Sequence, residues 1–251
     1  MTADELQEMC ERGQQALMRM DYIAAERELV RAEEAAWELR DFDTLSRLYM
    51  PLQEARRQRR QRCCEGEVHL DLIAQGPDDR VDGRRIVENY PFGQLLVAGW
   101  GSIEPAVQVR RLQREHGLYV ETFLGAAYPT DEGRIIALLP LEDAALPSAE
   151  LRSLEELKQA LPQHTILIRP QELPEGSRKG DWQTCAMTMA LWERLHAPFL
   201  AAAEAQTDPL ARLKALRRAI EVDYACELAH QRAADVARSL RRCARIGQGI
   251  Y

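Results

Sequence analysis

The chain has 251 residues, room for one large domain or two small ones. Its formal net charge is −7 and its pI about 5.4, so nucleic acid and anionic membranes repel it except where basic charge is concentrated locally. Apolar residues make up 46%, enough for a core, but the apolar runs reach only about five to seven residues against the ~20 that a bilayer span needs.

The N-terminus, Met1-Thr2-Ala3-Asp4-Glu5-Leu6, is acidic and has no apolar stretch of the kind a signal peptide carries. The expected compartment is therefore the cytoplasm. The six cysteines (Cys10, Cys63, Cys64, Cys185, Cys226 and Cys243) include no C-x-x-C pair. The adjacent Cys63 and Cys64 are poorly placed to share one tetrahedral zinc, so reduced thiols, most of them on helices, are expected.

Residues 4–19 read as a first helix, with Leu6, Met9, Cys10, Ala16 and Leu17 at helical spacing. Met20-Asp21-Tyr22 breaks that pattern. A second helix follows over 22–39, with Ala25, Leu29, Ala32 and Ala36 on one face. A third covers 43–62 around Leu45, Leu48, Tyr49 and Leu52, and Pro51 predicts a kink or break within it. At the other end, helices are predicted over 182–205, with Pro198 a second expected kink, then from Asp208-Pro209 to Val222, then over 224–241.

The string Gly13-x-x-Ala16-x-x-x-x-x-Tyr22-x-x-Ala25-x-x-x-Leu29-x-x-Ala32 resembles a tetratricopeptide repeat. Small residues at these offsets let two antiparallel helices approach closely. Ala219-Ile220-Glu221-Val222-Asp223 is similar to the end of such a repeat. The terminating proline of the family is absent from both places, where Trp37 and Tyr224 stand. The resemblance implies helical hairpins that hold a protein partner or a second copy of the chain.

Between the helical ends, residues 66–172 change character. Glu67–Ile73 alternates like a strand, with Val68, Leu70 and Leu72 on the apolar side. Gln94–Ala98, Leu118–Leu124, Arg134–Leu139 and Thr165–Ile168 read as further strands. Helices are predicted over Ile103–His116, closed by Gly117, and over Ala149–Leu161. Strands alternating with helices predict a small sheet with βαβ units. Gln171–Gly180 reads as a linker. The expected class is α+β, mostly helical, in three segments: 1–65 helical, 66–175 α/β and 176–251 helical.

One local motif suggests small-molecule chemistry. Gly99-Trp100-Gly101-Ser102 is a strand-to-helix turn whose amides could meet an anion, and Glu121 lies about twenty residues on, where a dinucleotide fold places its ribose-binding acid. Against this use, Glu104 stands where a third glycine belongs and Pro105 removes an amide; a plain turn with Ser102 as N-cap explains the same residues. Arg56, Arg57, Arg59, Arg60 and Arg62 crowd one helix end and are expected to be solvated near its C-terminal dipole. Asp78–Arg85 reads as an exposed loop with mixed ion pairs. His69 and Asp71 are expected to share a strand's polar face, the other histidines are scattered, and Trp100, Trp182 and Trp192 read as packing residues. The leading expectation is a non-enzymatic interaction or scaffold protein, with no metal or cofactor and with nucleic-acid or membrane partners disfavoured. The alternative is a nucleotide or small-molecule binding protein, or an enzyme, with its site at Gly99, Gly101, Ser102 and Glu121.

Overall fold

The computed structural model describes residues 2–174, 178–179 and 182–248. In chain order the helices are α1 (Ala3–Met18), α2 (Tyr22–Glu38), α3 (Phe42–Cys64), α4 (Gly83–Asn89), α5 (Glu104–His116), α6 (Leu154–Ala160), α7 (Trp182–Glu204), α8 (Pro209–Val222) and α9 (Glu227–Gln248). The strands are β1 (Glu67–Ile73), β2 (Gly93–Trp100), β3 (Val120–Thr130), β4 (Gly133–Leu139), β5 (Ile166–Ile168) and β6 (Arg178–Lys179). The class is α+β and mostly helical, with helices at both ends. None of the described helices is long and apolar enough to cross a membrane.

The chain forms two compact units, one made of Met1–Arg59 with His196–Tyr251 and one of Arg60–Leu195. The two helical ends, whose packing on each other the sequence leaves open, belong to one unit. They share a core in which Leu6, Ala25, Leu29, Ala32, Leu45 and Leu52 meet Leu213, Leu216, Ala229, Ala233 and Ala237. Its many alanines let helix axes come close, and the leucines fill the remaining space.

Four of the helix starts in this unit, those of α1, α2, α3 and α8, have a local cause. The Thr2 hydroxyl accepts from the Glu5 amide and the Glu5 carboxylate accepts from the Thr2 amide, a reciprocal cap for α1. Asp21 and Asp41 accept from the Ala24 and Thr44 amides, and Asp208 accepts from Ala211. Immediately before the first two aspartates, Met20 and Arg40 hold φ of 61° and 53°, the left-handed turn that reverses the chain twice. Both α3 and α7 continue through their prolines, Pro51 and Pro198, instead of breaking. Proline's fixed φ is itself helical, and only one ladder bond is given up.

In the second unit the strand order is β5-β4-β3-β2-β1-β6. Two βαβ crossovers, through α4 and α5, lay β1, β2 and β3 parallel; β4, β5 and β6 pair antiparallel. The face bearing Leu95, Val97, Leu124, Ala126 and Ala137 packs on α4, α5 and α6. The other face carries Gln94, Glu121 and Phe123, and Trp192 of α7 stacks on Phe123 at 4.3 Å. The expected exposed loop 78–85 ends in α4 instead, because Asp82 caps it by accepting from the Arg84 amide. α6 starts later than its apolar pattern suggested, since Ser153 and Glu156 form a reciprocal cap there. Of the expected linker, residues 175–177 and 180 lie outside the described part, while Pro170–Glu172 form a 3-10 turn and β6 pairs with β1.

The α1–α2 seam depends on Gly13, where an added Cβ would sit 2.6 Å from Leu29 Cγ. Gly13→Ala should therefore cost about 1–2 kcal/mol by overpacking, although alanine is the better helix former by about 1 kcal/mol. Urea unfolding should show Gly13→Ala less stable than the parent, and Gly13→Ala combined with Leu29→Ala losing less than the two single changes added together.

Candidate functional site

The Gly99–Ser102 turn lies where β2 ends and α5 begins. Its inner groups are already engaged: the Gly99 amide donates to the Ser102 carbonyl at 3.0 Å and the Gly101 amide to the Ala127 carbonyl at 2.8 Å. Gly101, at φ 58°, packs so closely on Ala149 that a Cβ would come within 2.6 Å of it. The N-cap of α5 is Ile103, not Ser102; the Ser102 hydroxyl accepts from the Glu104 amide at 3.1 Å from one position further out. β1, β2 and β3 also follow one another in spatial order, so this parallel segment has no reversal of strand order at which a ligand crevice would open.

Glu121 is not brought to that turn. It pairs in register with Gln94, near the start of β2, and Gly99 is five residues further along that strand, roughly 17 Å away. Its carboxylate is almost fully buried and accepts from Arg60 Nε at 2.9 Å and from Gln94 Nε2 at 2.8 Å. The Arg60 guanidinium lies 4.8 Å from the Trp192 ring centre. Gln94 Nε2 also donates to Cys64 Sγ at 3.2 Å, and the Cys185 thiol donates to the same sulfur. The residue expected at a ribose is thus the centre of a buried polar chain.

The arginine-rich end of α3 departs from expectation in the same way. Arg56 and Arg59 turn inward in the helical unit and hold Glu26 of α2 at 3.1 and 2.6 Å. Burial alone would raise the Glu26 carboxyl, but Arg59 and Arg56 overcome it and hold it below the ordinary range. Arg59 also lies 4.5 Å from the Tyr224 ring centre. Arg57 and Arg62 do face outward, paired with Glu54 and Glu65. His69, expected on an exposed polar face, is buried; it sits 3.1 Å from Glu67 and against the Tyr90 ring. Trp182, expected in packing, is exposed.

Two histidines flank the α8–α9 connection and titrate in opposite senses. His230 is fully buried, and its Nδ1 donates to the Cys226 carbonyl at 2.8 Å. That leaves Nε2 as the acceptor facing Arg56 at 3.2 Å, so the ring must be neutral. Burial, then the Arg56 charge, drives it down to about 3. His196 Nδ1 meets Asp223 Oδ2 at 2.7 Å. Burial works to lower this imidazole, but hydrogen bonds to Asp223 and Cys226 push it up to about 9. The ligating atoms of His196, Asp223 and Cys226 lie within 4.8 Å of one another, a spacing that a divalent metal could bridge. As arranged, the imidazole proton is committed to the Asp223 carboxylate, and the group is an ion pair that locks the turn.

The helical unit also has an open groove of about 300 Å³ between the start of α8 and the outer face of α9. Thr207, Pro209, Arg212, Arg232, Asp235, Val236 and Ser239 line it, so two arginines share it with one carboxylate. Arg232 is tied to Glu204, and Asp235 to Arg238 at 2.6 Å. Arg212 Nε is buried and has no hydrogen-bond partner among the described residues. Sequence reasoning missed this site because the seven residues come from two helices and one turn, and no motif joins them.

The two histidines give stability a bell-shaped dependence on pH. His196, raised from 6.5 to about 9, contributes stability that is complete below pH 6.5 and lost as pH climbs through 9. His230, lowered to about 3, contributes fully above pH 6.5 and loses its contribution as pH falls toward 3. Together they place a stability maximum near pH 6.5, which urea midpoints between pH 4 and 9 should show; His196→Ala should flatten the alkaline side, and an unchanged alkaline side would refute the ion pair's role. Glu121→Ala, which removes the buried carboxylate that accepts from Arg60 and Gln94, should cost about 3–5 kcal/mol in the same assay.

Comparison with protein-family models, with curated proteins and with solved structures finds no match for the chain.

Proposed function

We propose that this chain is a non-enzymatic interaction protein whose helical unit takes an acidic segment of a partner protein into the groove between α8 and α9. The supporting observation is the groove itself, and within it the buried, unpartnered Nε of Arg212. A buried donor without an acceptor costs about 1–3 kcal/mol, a cost that an incoming carboxylate would remove with a charge-assisted bond. Thr207 and Ser239 add hydroxyls at the rim, and Val236 gives a small apolar floor for the stem of a glutamate side chain. Paired helices with small-residue seams, as in α1–α2 and α8–α9, are the kind of scaffold on which such grooves are held rigid.

The chain's net negative charge opposes the approach of an acidic segment, so recognition rests on short-range contact with Arg212 and Arg232 and weakens only moderately with salt. A fluorescent peptide alternating glutamate with leucine should bind the full chain in an anisotropy titration. Arg212→Glu should weaken it roughly tenfold or more, while Arg57→Glu, on an outward face of α3, leaves it unchanged. Absence of binding, or equal loss in both variants, would refute the reading.

A further inference from the structure

The structure assigns a second chemistry to the α/β unit: we propose that Cys64 and Cys185 form a reversible intramolecular disulfide, making this unit a thiol-oxidation site. The two sulfurs are 2.7 Å apart, already closer than ordinary non-bonded contact and with no third group between them. The pair is distinguished from the adjacent cysteine: Cys63, one residue earlier, is fully buried, whereas Cys64 and Cys185 are each half-buried and open to a small oxidant. Cys64 is the last residue of α3 and Cys185 the fourth of α7. Both therefore sit on helical backbone, with the two sulfurs facing each other. Gln94, anchored on β2 by its bond to Glu121, donates to Cys64 Sγ at 3.2 Å and fixes that side of the pair.

The oxidant class that suits the opening is a peroxide. Burial, reinforced by the Cys185 thiol, pushes the Cys64 thiol well up and holds its proton. With the Cys64 proton held, the proposed sequence starts at the Cys185 sulfur. Its sulfur gives an electron pair to one peroxide oxygen, the O–O bond breaks, and the departing hydroxide takes the thiol proton, leaving a sulfenic acid and one water. Cys64 sulfur then attacks the sulfenic sulfur; the S–O bond breaks, and the hydroxide leaves with the Cys64 proton as a second water. Two thiols and one peroxide become one disulfide and two waters, and a dithiol reductant reverses the change by exchange. The bond would close a loop of about 120 residues around the whole sheet, the length regime in which cross-links constrain the unfolded chain most.

The test uses the full chain, treated with a small excess of hydrogen peroxide, alkylated, and digested with trypsin. The expected product is a cross-linked pair of peptides, 63–80 with 180–194, two hydrogens lighter than the sum of the separate peptides and cleaved by dithiothreitol. Cys63→Ser should keep the cross-link; Cys64→Ser and Cys185→Ser should each abolish it while keeping the parent's circular dichroism. Oxidation should raise the thermal midpoint by roughly 5–15 °C in the parent and in Cys63→Ser alone. Four results would overturn the proposal: both thiols alkylated after peroxide has oxidised a control thiol, a link through Cys63, a cross-link between two chains only, or a midpoint that does not move when the link forms. If a serine variant fails to fold, differential alkylation of the parent before and after peroxide decides between the same outcomes.

Discussion

Glu33 on α2 points its carboxylate into the helical unit, where it accepts from the Tyr49 hydroxyl of α3 at 2.8 Å and from two nitrogens of Arg217 on α8 at 2.7 and 3.0 Å. Burial, then the Glu33 charge, holds the Tyr49 phenol well above its usual range, so it stays a donor. Arg217 stacks over Trp37 at 4.1 Å, which fixes the plane of its fork. A core made largely of alanine and leucine would tolerate several helix registers, because its apolar surfaces differ little from turn to turn. A single carboxylate that needs a donor from each of two other helices tolerates one. The polar tie therefore chooses how residues 184 positions apart meet, while the apolar core supplies most of the stability.

Much of the fold was legible because it is written in local chemistry. Periodic apolar residues located α1, α2, α5, α8 and α9, and Gly117 in its left-handed conformation ends α5 where the sequence placed it. β2 reads as a buried strand and is one. The shared core of the two chain ends was not legible, since nothing in either stretch names the other. α4 was missed because Asp82 and Gly83 read equally well as loop residues; only the packed Gly83, whose amide donates to Gln108, shows the helix start.

The sites were less legible for a related reason. Arg56, Arg59 and Arg60 looked like a solvated charge run, yet they fall at i, i+3 and i+4, continuing the stripe of Leu48, Leu52 and Ala55, all buried. That continuity was the available signal that these charges turn inward. Their partners lie far off, Glu26 at 30 residues from Arg56 and 33 from Arg59, and Glu121 at 61 from Arg60, and pairing at such separations leaves no mark on spacing. The same limit applies to Cys64 with Cys185 and to Arg212 with Arg232. Glu121 had the right offset from a glycine turn, but a parallel strand has two ends, and sequence distance alone did not say which end the side chain would occupy.

The helical unit being split by the inserted one has a further consequence, in the order of synthesis. After α1, α2 and α3 have been made, the roughly 140 residues of Arg60–Leu195 must be translated before His196 begins the remainder of that unit. At about 5–20 residues per second, α1–α3 wait roughly 7–30 s for their partner helices. In that interval the α1–α2 hairpin can close on its own, since its contacts are local, while the faces that will meet α8 and α9 stay uncovered. All six described strands of the α/β unit and the start of α7 are made during the same wait. Nascent chains thus pass through a stage with one unit nearly finished and the other half-built, and the face of α3 bearing Leu45, Leu48, Tyr49 and Leu52 is the surface a chaperone would meet first.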